Sequence, residues 1–180
     1  MAGSSHILTS TYNQPRIVEA YLSSTLKDPN FPTSSIQSLQ SLINNDSEEG
    51  NEGLVRSAFE EIHAALSIEQ NKALQEAIRA ISLSSTLSET ADDVEQRLLL
   101  AYCRILNRQW KEAIVDFDLI RNHLYSKIKS GTNDQDLDLS RRYIDALKGL
   151  QLASILLGKM SDVANYRKWT KSHQESRSKS

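Results

Sequence analysis

Apolar residues recur three and four positions apart along most of this chain, the spacing that gathers them on one side of an α-helix. The strongest case is Gln96 to Leu124, QRLLLAYCRILNRQWKEAIVDFDLIRNHL, where two apolar helical patterns are separated only by Asn107-Arg108-Gln109. So short a polar break predicts an antiparallel helix pair turning at those three residues. The first of the two helices starts near Ser88, where Glu89, Asp92 and Asp93 suit a helix N-terminus, and the second runs to about Lys129.

The same spacing predicts helices on either side. Ile17, Val18, Tyr21, Leu22 and Leu26 mark one from about Pro15 to Lys27, and Asp28-Pro29-Asn30-Phe31-Pro32 breaks it. Ile36, Leu39, Leu42 and Ile43 mark the next. A polar, acidic link over 45–53 then divides a short N-terminal hairpin (15–44) from a main helical stack (54–173). Within that stack Leu54, Val55, Phe59, Ile62 and Leu66 form one stripe, and Ala73, Leu74, Ala77, Ile78 and Ile81 form another, with a serine-rich turn over 82–88. Ser130-Gly131-Thr132-Asn133 is a stop. After it come a long helix through Tyr143, Leu147, Leu150 and Leu157, closed by Gly158, and a last one through Val163, Tyr166 and Trp169. Residues 1–13 are expected to be disordered and 174–180 to be a flexible basic tail, leaving 14–173 as one all-helical domain of about eight helices in antiparallel hairpins.

Composition agrees with an all-α fold. Only six glycines and three prolines interrupt the 180 residues, and no stretch alternates in the manner of a strand. Cys103 is the single cysteine, which excludes an intramolecular disulfide. A net charge of -2 with pI near 6.1 argues against a general nucleic-acid binder. No apolar run approaches the roughly 20 residues that span a bilayer, and MAGSSHILTSTYNQ lacks a signal-peptide pattern. An intracellular protein, cytoplasmic or nuclear, is expected.

Leu100-Ala101, Trp110, Ala113-Ile114 and Phe117 have the relative spacing of a tetratricopeptide repeat, and residues 54–129 resemble that family. In such repeats a small residue on each helix allows a close crossing, here Ala101 with Ala113, while aromatics pack after the turn. Ala65 and Ala77 repeat the separation 36 residues earlier, near the 34-residue period of the class. Arg104, where the family has an aromatic, and Ile120, where it has alanine, depart from the pattern. The resemblance implies a right-handed stack of hairpins with a groove that captures a peptide or helix of a partner protein. An irregular helical bundle is the alternative architecture.

Candidate chemistry is thin. Asp134, Asp136, Asp138 and Asp145 occupy positions 1, 3, 5 and 12 of a calcium-loop spacing, but position 6 is Leu139 rather than glycine, and Arg141 and Arg142 lie inside. His6, His63, His123 and His173 lack a second ligand at helical spacing. Cys103 sits on an apolar face with no partner that would activate it. Neither a catalytic residue nor a metal or other cofactor is therefore expected. Arg104, Arg108 and Lys111 near the central turn are the expected partner contacts. Arg167, Lys168 and Lys171 in the basic C-terminal segment are a second set. The expected function is a non-catalytic interaction module, a scaffold, an adaptor or a subunit of a larger complex, and the alternative is a nucleic-acid-associated subunit using the basic segment.

Overall fold

A computed structural model describes residues 28–44, 51–84, 91–130 and 137–178. Among these the chain is all-α, with seven helices and no strand. They are α1 (Thr33–Asn44), α2 (Glu52–Ala64), α3 (Ile68–Ser84), α4 (Ala91–Leu106), α5 (Trp110–Lys129), α6 (Leu137–Leu157) and α7 (Met160–Ser178). The helix expected over 15–27 lies outside the described residues, as do the disordered segment expected over 1–13 and Asp134 and Asp136 of the calcium-loop spacing. Asp138 and Asp145 are turns of α6, not of a loop.

Local chemistry explains the helix ends. At the start of α3 the Ser67 hydroxyl accepts from the Gln70 amide at 3.0 Å, while the Gln70 side chain accepts from the Ser67 amide at 2.9 Å. This reciprocal pair satisfies two donors that a helix start leaves open. Two helices end in the same way. The amides of Arg108 and Gln109 donate to the carbonyls of Ile105 and Arg104, and those of Gly158 and Lys159 donate to Ile155 and Ser154. That pair of hydrogen bonds needs a left-handed residue in the turn, and Gly158 (φ 81°) meets the need without a side-chain clash. Arg108 (φ 64°) occupies the same position with a Cβ, at a cost of roughly 1–2 kcal/mol.

One continuous core joins all seven helices, and α6 is its hub. From Arg142 to Ile155 nearly every side chain of α6 is covered, because α5 and α7 flank it and α1, α2 and α4 also pack on it. The closest approach is at Gly149. A Cβ there would stand 2.3 Å from two atoms of the Phe117 ring, so only glycine lets α5 seat so near. Phe117 in turn meets Tyr102 of α4 edge-on, with ring centroids 5.2 Å apart.

Two expectations are corrected. α2 and α3 do not pair as a hairpin: α2 packs on α1 and α6, α3 packs on α4, and the two do not run along one another. Ala65 is accordingly exposed at the C-terminus of α2 while Ala77 is fully buried, so no close crossing joins them. The apolar stripe of α2, Val55 and Phe59, is covered by other helices, which leaves nothing to hold it against α3. The supposed tail is the second case, since α7 continues to Ser178. Gln174, Glu175 and Arg177 are good helix formers, and Arg177 in the last turn complements the helix dipole.

Candidate interaction surface

The α4–α5 pair carries most of the side chains singled out from sequence. Ala101 and Ala113 are both fully buried, as is Phe117. Trp110 begins α5, and its indole Nε1–H donates at 3.1 Å to the Ile105 carbonyl, the same oxygen that accepts from the Arg108 amide at the end of α4. The same ring meets Phe59 of α2 edge-on at 5.7 Å. The turn is thereby fastened to a helix far away in sequence.

Arg104 is not the exposed contact expected. Its side chain is 19% exposed, and Nη1 donates to Asp116 Oδ2 at 2.5 Å while Nη2 donates to Ser82 Oγ on α3 at 3.1 Å. Arg97 joins the same carboxylate, with Nη1 3.1 Å from Asp116 Oδ1. Asp116 is buried, with 3% of its side chain exposed, so two guanidinium groups share one carboxylate beneath them. From Val94 to Leu106 every residue of α4 is buried except these two arginines, seven positions apart on one side of the helix. The expected set omits Arg97; its spacing from Arg104 was the available signal.

Arg108 lies across two rings, 5.7 Å from the Phe59 centroid and 5.8 Å from that of Trp110, and pairs with Glu60 of α2. Its side chain remains 43% exposed. Lys111 is exposed on the first turn of α5. In the C-terminal set, Arg167 is committed to Glu52 of α2 at 3.1 Å, where both side chains are largely covered, so it ties α7 to α2. Lys168 and Lys171 are exposed. Trp169, 40% exposed, receives the Arg121 guanidinium of α5 at 5.1 Å from its ring.

Of the groups with reactive potential, Cys103 and Glu95 are inside, and His63 and His173 are half-buried. Cys103 is fully buried, and burial pushes its thiol up to about 12. Glu95 of α4 is 1% exposed and pairs with Arg142 Nε of α6 at 3.2 Å. Burial raises the Glu95 carboxyl to about 8, more than the Arg142 guanidinium can offset, and Asp145 and Asp138 push in the same direction as burial. His63 stacks on Phe59 at 5.9 Å, and burial together with the Arg108 charge lowers its pKa. His173 contacts Ser140 Oγ at 3.2 Å, and its pKa is lowered first by burial and then by Arg177. Among the described residues no three of His, Cys, Asp and Glu are arranged to hold a metal ion. No helix among them is long and apolar enough to cross a membrane.

Against this interior, the exposed apolar side chains stand out. Val115 and Leu119, four positions apart on α5, are 59% and 44% exposed. A shallow groove between α1 and α2 also has an apolar floor, Leu42 and Ile62, beneath Ser34, Ser38 and Ser41. Comparison with known proteins finds no matching family model, no matching curated protein and no matching solved structure. The molecule's own geometry is therefore what its function has to be read from, and it defines an all-helical protein with a cross-tied outer face.

Proposed function

We propose that this protein is a non-catalytic interaction module, a scaffold, adaptor or complex subunit that binds another protein through the outer face of its helices. The observation that carries the reading is the exposed Val115–Leu119 strip on α5, a helix whose opposite side is fully buried. Apolar side chains left in water on a rigid, well-packed helix suit burial by a partner. The reading is also favoured by where the reactive groups lie, since Cys103 and Glu95 are out of reach of a substrate. The resemblance to a tetratricopeptide repeat rests on the α4–α5 pair alone, because α2 and α3 do not form the preceding hairpin.

Affinity purification of the intact chain from its native host, followed by mass spectrometry, tests this reading. A stoichiometric partner lost on Leu119→Ser is the expected result. Recovery of the chain alone, monomeric and inert, counts against it.

A second reading draws on Lys168 and Lys171, exposed near one another on α7: a contact to nucleic acid. Binding to RNA or DNA that declines with salt would support it. An absent or salt-insensitive signal removes it.

A further inference from the structure

The first described helix, α1, reads TSSIQSLQSLIN and holds no charged residue. Ile36, Leu39 and Ile43 are buried where it packs on α2, α4 and α6. Ser34, Ser38 and Ser41 recur at helical spacing on its remaining side and are exposed. With Gln37 they line the groove shared with α2, over Leu42 and Ile62. Small, uncharged side chains let a second helix approach without stripping water from a charge. The chain enters α1 through a tight reversal. The Phe31 amide donates to the Asp28 carbonyl at 3.0 Å, and the Asn30 amide donates to Asp28 Oδ1 at 2.9 Å. Phe31 and Pro32 are buried and anchor this turn. Such a turn directs whatever precedes Asp28 back along α1. The sides of α1 that face α2, α4 and α6 are filled, so the groove is the side left open to it.

We propose that the groove between α1 and α2 is the docking site of the chain's own segment 15–27, seated antiparallel to α1 with its apolar side chains over Leu42 and Ile62. The sequence of that segment places Ile17, Val18, Tyr21, Leu22 and Leu26 at the spacing that gathers them on one side of a helix. The lengths match. As a helix, 15–27 spans about 20 Å, and the 12 residues of α1 span about 18 Å. The link between them, 28–32, has the length that joins antiparallel helices. A small molecule in so shallow a groove would keep much of its surface in water, unlike ligands in pockets that enclose them. A separate partner would have to displace a segment whose short tether holds it at an effective concentration of about millimolar. This surface is distinct from the Val115–Leu119 strip, and the inference stands or falls apart from the interaction reading.

The test is alkylation of introduced thiols in the full chain, where Cys103 is buried and does not compete. The thiol of Ser38→Cys, in the groove, should react with a maleimide more slowly than that of Ser172→Cys, exposed on α7. The expected ratio is at least about tenfold, which corresponds to about 1.4 kcal/mol of docking. Adding Leu22→Ser should abolish the difference while the cooperative melting of the helices is retained. In a second measurement, Leu22→Cys combined with Ser38→Cys should oxidise to an intramolecular disulfide. Leu22→Cys combined with Ser57→Cys, exposed on another side of α2, should stay reduced. Equal alkylation at the two sites, slow alkylation that Leu22→Ser leaves unchanged, or disulfides that form equally in both pairs overturns the proposal. Protection that grows with protein concentration also overturns it, because the occupant is then a second copy of the chain.

Discussion

Replacing Gly149 by alanine sets two effects of opposite sign against each other, and the structure decides between them. By helix propensity alone, glycine inside a helix costs about 0.8–1.0 kcal/mol relative to alanine, so Gly149→Ala should stabilise α6 by that amount. In place, however, the new Cβ would lie 2.3 Å from Phe117 Cε1 and Cζ and 2.6 Å from Cδ1, where ordinary contacts begin at 3.4 Å. Relief requires a displacement of about 1 Å. The Phe117 ring cannot simply swing aside, because it is fully buried and held edge-on by Tyr102 at 5.2 Å. Forcing an extra methyl into such a site costs about 1–3 kcal/mol, and a contact this close belongs at the upper end. The net expectation is destabilisation by roughly 1–2 kcal/mol once the propensity gain is subtracted. In a chain of this size that lowers Tm by about 2–4 °C for each kcal/mol. Urea denaturation followed at the helical circular-dichroism band measures it directly. In a double-mutant cycle, adding Phe117→Leu should make the alanine less harmful than it is alone, because the clashing ring is gone. A Gly149→Ala protein as stable as the parent or more so, with no coupling to Phe117→Leu, would refute the close approach.

Three further outcomes follow from the polar ties. Asp116→Ala leaves two mostly covered guanidinium groups without their shared carboxylate. It should destabilise by about 3 kcal/mol, the lower end for breaking a buried pair, since both arginines keep some contact with water; denaturant titration of the single variant checks it. Arg108→Ala keeps the left-handed backbone but loses the Glu60 and ring contacts, whereas Arg108→Gly loses the same contacts and relaxes the backbone. The glycine variant should therefore be the more stable of the two by about 1 kcal/mol, read as an ordering of melting temperatures. Glu95 supplies a pH dependence. Its folded pKa, about 8, lies above its ordinary 4.5, so its contribution to stability is full below about 4.5 and is lost as pH rises through about 8. Unfolding free energies across that range should fall more for the parent than for Glu95→Gln; parallel profiles would show that the carboxyl titrates normally.

The helical class and the α4–α5 hairpin were legible because they depend on local periodicity. Gln96 to Leu124 repeats its apolar spacing on both sides of a three-residue turn, and neighbouring helices with so short a link have little choice but to pack. Periodicity also identified the apolar sides of α2 and α3. It could not say which helix covers each side. Val55 and Phe59 could have faced α3, and instead α2 packs on α1 and α6, which the chain supplies earlier and much later. Arg104 departs from expectation for a related reason. Its place near the central turn predicts an exposed contact, whereas its partner Asp116 lies across that turn, 12 positions on, beyond any within-helix rule. The role of Gly149 is not legible in the sequence, where an isolated helix glycine is only a weak helix position. Its reason for being there is a ring on another helix.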